Sequence, residues 1–156
     1  MTALALDSAA DATALGEAIA AALAQRPGGV IYLQGPLGAG KTTVARGLLR
    51  ALGARGAIRS PTYTLLEPYE LSGRTLVHLD LYRLADAREL ESLGLRDYPP
   101  EVCWWLVEWP ERAAARLPGA DLVVALAHAG AARRAELSGA LAGAIAAARQ
   151  RSQTKV

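Results

Sequence analysis

A single glycine-rich loop constrains this chain more than any other feature. Gly35 begins the sequence GPLGAGKT, which fits the pattern G-x-x-x-x-G-K-[ST] at every fixed position. The apolar residues 30–34 precede the loop, and the pattern predicts a helix over residues 42–52. In such a loop the backbone N–H groups converge on phosphate oxygens at the positive end of the helix. The loop therefore predicts phosphate binding, and the alternative is a plain glycine-rich turn.

Within this loop the side chains have distinct expected roles. The Lys41 ammonium would neutralise the β- and γ-phosphates, and the Thr42 hydroxyl would reach Mg²⁺. Pro36 precedes the amides that would wrap the phosphates, so it leaves the predicted site intact. The expected phosphate-binding residues are Gly35, Leu37, Gly38, Ala39, Gly40, Lys41, Thr42 and Thr43.

Two carboxylates are predicted to complete the site. Asp80 and Glu108 end the apolar residues 75–80 and 102–108, a pattern typical of buried strands in an α/β sheet. Phosphoryl chemistry needs carboxylates near the metal and the attacking water, so we expect both beside Mg²⁺ and in catalysis with Lys41. The alternatives are that Asp80 caps the next turn and that Glu108 is a solvated strand end.

Two further segments extend the candidate site. Ser60, Pro61 and Thr62 are predicted to form a switch segment that senses the γ-phosphate and the metal, although an ordinary ST-turn fits the same residues. Trp109 directly follows Glu108 and is a candidate for stacking on a base or on a partner.

Several residues with reactive or aromatic side chains have simpler expected roles. The single cysteine, Cys103, excludes an internal disulfide and a cysteine-based metal cage, and like His78 it is predicted to be a packing residue. Trp104 and Trp105 alternate along a strand, so at least one belongs to the core. Arg83 is either an electrostatic finger or a partner in a surface salt bridge, and the salt bridge is favoured.

Length and pattern favour one α/β domain. The 156 residues are 52% hydrophobic, which is enough for one core, and the formal charge of +2 is too small to indicate nucleic-acid or membrane binding. Alternating strands and helices predict a P-loop NTPase-type, mostly parallel sheet flanked by helices. A C-terminal antiparallel hairpin is expected over residues 122–137. We expect the domain to span residues 1–148 and a frayed tail to span 149–156.

The remaining elements follow from local patterns. The sequence predicts helices over residues 8–24, over 85–94 and from about 141, and an edge strand over 62–71 because of Pro68. The N-terminus has no basic region, and no stretch is long and apolar enough to cross a bilayer. We therefore expect a cytoplasmic protein.

The residue inventory favours ATP over GTP. GTPases of the Ras type read guanine with an N-K-x-D motif, but this chain has no Asn, and its only lysine besides Lys41 is Lys155. A small-molecule P-loop kinase stays open, although Arg83, Arg88 and Arg96 are too dispersed for a compact lid. A nucleotide-gated interaction module without turnover also stays open.

Four motifs in order, GPLGAGKTT, SPTYTLLEPY, HLDLYRL and VEWP, resemble those of the bacterial TsaE family, the ATPase of tRNA threonylcarbamoyladenosine biosynthesis. The resemblance runs from about residue 16 to 137. It implies an ATPase that acts with TsaB and TsaD in attaching a threonylcarbamoyl group to the adenosine beside the anticodon. We expect this activity to depend on Mg²⁺ and to be slow in the chain alone, because the sequence assigns no arginine finger. We expect the chain to be a monomer when free and to meet tRNA only through the complex, away from any membrane.

The resemblance also implies roles for single residues. Thr42 and Glu108 would bind Mg²⁺, with Asp80 as the acidic strand-end residue, and Trp109 matches the tryptophan after the glutamate. Arg133 matches an arginine near the nucleotide.

The sequence departs from the family pattern at two positions. Pro36 stands where the family usually has an acidic residue or Asn, and Ala12 stands where a Thr is usual. Asp11 and Thr13, on either side of Ala12, are the candidates for an adenine contact.

Overall fold

A mixed seven-stranded sheet forms the centre of the computed structural model, which describes residues 1–155. The strands are β1 Thr2–Leu6, β2 Gly29–Gln34, β3 Leu66–Leu71, β4 Arg74–Asp80, β5 Trp104–Glu108, β6 Leu122–Ala129 and β7 Ala132–Ser138. Their order is β1-β7-β6-β2-β5-β4-β3. The central neighbours β6, β2, β5 and β4 run parallel to one another. The remaining pairs are antiparallel: β3 with β4, β7 with β6, and β1 with β7. The predicted α/β class, parallel centre and C-terminal hairpin are confirmed.

Within residues 1–155 three α-helices accompany the sheet: α1 Ala9–Ala24, α2 Lys41–Ala51 and α3 Ala142–Thr154. Ser8 caps α1 by accepting a hydrogen bond from the Asp11 amide at 3.2 Å, as its position before the helix predicts. Helices α1 and α2 approach closely because Gly16 and Gly47 have no side chain. A Cβ on Gly16 would lie 2.3 Å from the Val44 carbonyl oxygen, so no larger residue fits without a backbone shift.

The two faces of the sheet carry separate cores. Leu76, Trp104 and Leu106 share one face and pack with the helices, because alternate strand residues point to the same side. Val77 and Trp105 belong to the opposite face, where loops and short 3₁₀ segments cover the sheet. Both tryptophans are buried, which agrees with the prediction that at least one is a core residue.

Strand β1 was not expected from the sequence. It pairs antiparallel with β7, from Thr2 opposite Leu137 to Leu6 opposite Arg133. Its sequence TALAL is rich in alanine, which has a weak strand preference, so the pairing depends on the β7 edge that receives it. Residues 87–93, predicted to lie in an ordinary helix, form a 3₁₀ helix, and β3 occupies only the second half of the predicted edge strand over 62–71.

The C-terminal helix is longer than predicted. Helix α3 continues to Thr154, six residues past the expected end of the domain at residue 148. Arg149 is buried and its Nη2 lies 3.3 Å from Oδ1 of Asp11 in α1, which fastens this end to the domain. Val156 lies outside the described residues. Over residues 1–155 we find no helix with the length and apolar character needed to cross a membrane.

Candidate functional site

The sheet topology brings the predicted loop and both carboxylates to one edge. Strand β2 ends at Gln34, and α2 begins at Lys41 directly after the glycine loop. Asp80 and Glu108 are register partners at the ends of the parallel strands β4 and β5, and Glu108 also lies opposite Leu33 of β2. Ligand sites in open α/β sheets form beyond the carboxyl ends of the parallel strands, and this edge has that geometry.

A cleft of about 450 Å³ lies at this edge. It contains one lysine, one arginine, two carboxylates and several hydroxyls, together with the amides of the loop. Tyr82 is the lining residue that the sequence reasoning missed, although its place two residues after Asp80 was a usable signal. The residues lining the cleft are Leu37, Gly38, Gly40, Lys41, Thr42, Thr43, Ser60, Thr62, Asp80, Tyr82, Glu108, Trp109 and Arg133.

Five of the predicted site residues do not line this cleft. The Gly35 carbonyl oxygen accepts a hydrogen bond from the Lys41 side chain. Ala39 is buried in the core, and its amide donates to the Pro36 carbonyl oxygen. Pro61 is buried, and its carbonyl oxygen accepts from the Leu65 amide.

Thr13 also lies outside the lining of the cleft, and so does Asp11. Its carboxylate accepts from the Asp7 amide at the start of α1 and pairs with Arg149. Neither candidate for an adenine contact lines this cleft, and the adenine contact stays a prediction.

The loop backbone depends on glycine. Gly35, Gly38 and Gly40 have φ angles of 144°, 76° and 106°, a region that L side chains rarely adopt. Gly40 is also the N-cap of α2, so the loop leads directly to the first backbone amides of that helix. These amides have no hydrogen-bond acceptor within their own helix. Arg133 reaches the loop from β7, where its Nε donates to the Gly38 oxygen at 3.1 Å.

Lys41 is held at the base of the loop. Its Nζ donates to the carbonyl oxygens of Gly35 at 2.5 Å and Pro36 at 2.8 Å. Burial lowers the pKa of Lys41, and the negative charges of Glu108 first, then Glu111 and Asp80, oppose that shift.

Trp109 forms an aromatic wall beside the lysine. Its φ of 58° is unusual for a residue with a side chain, and its ring centroid lies 4.2 Å from the Lys41 Nζ. The Tyr82 ring packs against it with centroids 5.0 Å apart. In the structure this ring covers the lysine ammonium, and stacking on a base or a partner stays a prediction.

Asp80 joins the predicted switch segment to the strand end. Ser60 Oγ donates to Asp80 Oδ2 at 2.8 Å, and Thr62 Oγ1 lies 3.3 Å from the same oxygen. The other oxygen, Oδ1, accepts from the Tyr82 amide at 3.1 Å. Asp80 therefore holds both the switch segment and the turn that follows β4.

Glu108 has a buried partner that the sequence analysis assigned only to packing. His78 Nε2 and Glu108 Oε2 are 2.7 Å apart, and each residue is 2% exposed. His78 precedes Asp80 by two residues on the same strand, so both side chains project from the same face of β4. That spacing was a sequence signal for a polar role.

The donor set of the cleft suits Mg²⁺ together with a phosphate ligand. Thr42, Asp80 and Glu108 offer only oxygen atoms, which Mg²⁺ prefers. Across residues 1–155 there is no group of three or more His, Cys, Asp and Glu side chains arranged to hold a metal. A Mg²⁺ ion here would therefore complete its shell with phosphate oxygens and water, as it commonly does.

Arg83 contacts a tyrosine outside the cleft lining. Its guanidinium carbon stacks 4.5 Å from the centre of the exposed Tyr63 ring, and Arg83 is not among the residues that line the cleft. Neither the finger nor the favoured salt bridge describes this contact.

Comparison with known proteins decides the family. The sequence model of the family described as "Threonylcarbamoyl adenosine biosynthesis protein TsaE" matches residues 6–136, most of the chain. The chain belongs to the TsaE family. It is 48% identical over 110 residues to the tRNA threonylcarbamoyladenosine biosynthesis protein TsaE of Haemophilus influenzae, covering 69% of this chain and 68% of that protein.

Other TsaE proteins and a solved structure agree with this assignment. The TsaE of Bacillus subtilis is 40% identical over 107 residues, which cover 67% of this chain and 65% of its own. A crystal structure of Bacillus subtilis YdiB superposes with a TM-score of 0.76 and 26% identity, covering 97% of this chain and 95% of that one. This TsaE chain accordingly takes part in the biosynthesis of threonylcarbamoyladenosine in tRNA.

Proposed function

We propose that this TsaE chain is a Mg²⁺-dependent ATPase that acts with TsaB and TsaD in threonylcarbamoylation of the adenosine beside the anticodon. The observation that carries the proposal is one cleft that joins Lys41 and Thr42 of the glycine loop to Asp80 and Glu108 at adjacent strand ends. A lysine, a hydroxyl and two carboxylates around a helix N-terminus are the parts that phosphoryl transfer from ATP requires.

In the proposed site the chain supplies mainly positioning and electrostatic stabilisation. Bound Mg²⁺ would bridge phosphate oxygens and neutralise their charge. The loop amides and the Lys41 ammonium would bind the phosphates, and Arg133 would add positive charge from the β7 side. Thr42 and Glu108 would hold the metal, with Asp80 beside them.

We infer slow turnover by the free chain. Arg83, for which the sequence left a finger open as the alternative to a surface salt bridge, stacks on Tyr63 and does not line the cleft. An arginine finger typically contributes a factor of about 10³–10⁵ to the rate of phosphoryl transfer. Completion of the site in trans by TsaD would supply what the free chain lacks, and hydrolysis would reset the complex between catalytic cycles. We propose that the free chain is a cytoplasmic monomer.

The switch segment connects the nucleotide cleft to an outer surface that partner proteins could contact. Ser60 and Thr62 line the cleft and bond to Asp80 within it. The same segment borders an outer groove that contains the exposed Tyr63. A change of ligand at Asp80 would therefore alter a surface that TsaB or TsaD can sense.

The test is ATP hydrolysis by the purified chain, first alone and then with TsaB, TsaD and tRNA. Lys41→Ala serves as the blank, and Lys155→Ala serves as the matched control because it removes the only other lysine, which is exposed. We expect partner-stimulated turnover in the wild type and in Lys155→Ala but not in Lys41→Ala.

Each alternative function predicts a different result in that assay. ADP formation that requires a small-molecule acceptor and ignores the partners would establish a kinase. ATP and partner binding without turnover under any condition would establish a nucleotide-gated module, and normal turnover by Lys41→Ala would overturn the loop assignment.

A further inference from the structure

We propose that His78 is a positioning residue that fixes the Glu108 carboxylate for its role at Mg²⁺. This inference rests on the proposed function of the cleft and adds a residue to it. His78 does not line the cleft, so it would act only through Glu108.

The register of the sheet determines this contact. His78 of β4 lies opposite Leu106 of β5, which places Glu108 one side-chain repeat further along the same face. The resulting distance from His78 Nε2 to Glu108 Oε2 is 2.7 Å. Both residues are 2% exposed, so water does not compete for this hydrogen bond.

The surroundings of the imidazole indicate which nitrogen carries the hydrogen. Among residues 1–155, the buried Nδ1 of His78 has no hydrogen-bond partner. A hydrogen on Nδ1 would be a buried donor without an acceptor, which is costly. A carboxylate oxygen only accepts, so the ring is best satisfied with its hydrogen on Nε2, donating to Glu108.

This hydrogen bond fixes one oxygen of the Glu108 carboxylate and leaves the other oxygen for a metal ion. Oε2 is held by His78, whereas no donor to Oε1 is found among the described residues and Glu108 lines the cleft. The second oxygen is therefore the one left for a metal. Partners of this kind orient ligating carboxylates, and their removal typically weakens metal binding by about 10–100-fold.

Amide side chains offer a matched set of variants. In His78→Gln the new amide nitrogen would take the place of the imidazole Nε2, whereas in His78→Asn the shorter amide would take the place of Nδ1. We therefore expect His78→Gln to keep the donor to Glu108, and His78→Asn and His78→Leu to lose it. A purely structural role would not distinguish the two amides in this way.

The measurement is how much Mg²⁺ increases the affinity for a non-hydrolysable ATP analogue. Calorimetry gives this effect as the dissociation constant in EDTA divided by the dissociation constant in Mg²⁺. We expect His78→Asn and His78→Leu to reduce this ratio about 10–100-fold, with little change in EDTA. His78→Gln should stay close to the wild type. In a Glu108→Gln background, His78→Leu should cause no further loss.

The outcomes separate this inference from the proposed function. A wild type that does not bind the analogue would overturn both. A wild type that shows the Mg²⁺ effect, with the same ratio in His78→Leu, would overturn the role of His78 and leave the proposed function standing.

A second measurement needs no variant and no ligand. Nitrogen-15 NMR of the imidazoles reports the tautomer directly, and the chain has only one other histidine, the exposed His128. We expect the Nε2–H form at His78, and the Nδ1–H form would overturn the inference.

Discussion

Replacing Gly16 with alanine tests whether close contact between α1 and α2 supports the site. Within a helix, alanine is favoured over glycine by about 0.8–1 kcal/mol. A Cβ on Gly16 would, however, lie 2.3 Å from the Val44 oxygen and 2.7 Å from the Leu48 nitrogen, and both are backbone atoms that cannot rotate away. Overpacking typically costs about 1–3 kcal/mol, and backbone contacts this short place Gly16→Ala at the upper end. The net expectation is a loss of about 2 kcal/mol.

Gly143→Ala in α3 is the matched control because a Cβ there meets nothing within 4 Å. We expect this change to stabilise the protein by about 0.4–1 kcal/mol. Urea unfolding followed by circular dichroism measures both free energies. Because the glycine loop leads into α2, the proposed function predicts that Gly16→Ala also weakens ATP binding. A Gly16→Ala protein as stable as the wild type, or more stable, would refute the argument.

Three further predictions concern the switch, the core and the thiol. Thr62→Ala removes one hydroxyl group that bonds to Asp80, and it should reduce the stimulation of ATP hydrolysis by TsaB and TsaD more than it reduces ATP affinity. Equal losses of stimulation and of ATP affinity would contradict the switch. Leu106→Ala should lower the unfolding free energy by about 2–5 kcal/mol, since Leu106 is fully buried in the central sheet, and a loss below about 1 kcal/mol would contradict this packing. Burial, followed by the charge of Glu70, raises the pKa of Cys103. Alkylation of Cys103 in the folded protein should therefore be slow at neutral pH and become faster only at a pH above the usual pKa of a thiol. Rapid alkylation of the folded protein at neutral pH would contradict this burial.

The local signals in the sequence were sufficient for the centre of the fold. The strand, glycine loop and helix around Lys41 are contiguous, so their pattern predicts them without tertiary information. The two strands that end at Asp80 and Glu108 were recognisable as apolar runs for the same reason. Their convergence on one cleft follows from the rule that parallel strands present their carboxyl ends at one edge.

The features that were missed depend on contacts between distant residues. Helix α3 persists past residue 148 because Arg149 pairs with Asp11, 138 residues away. Strand β1 exists because β7 offers an edge, and the contact between His78 and Glu108 needs the register of two strands. Trp109 covers Lys41 only because its backbone adopts a positive φ, which no local pattern for tryptophan predicts.

The most direct test of the central claim is ATP binding in the presence of Mg²⁺, measured by calorimetry for the wild type, Lys41→Ala and Lys155→Ala. If the cleft around the glycine loop is the nucleotide site, the wild type and Lys155→Ala will bind one ATP with the same affinity, and binding by Lys41→Ala will be strongly weakened. Equal affinity in all three proteins would contradict the account, because the proposed function makes Lys41, which lines the cleft, the cation that binds the phosphates.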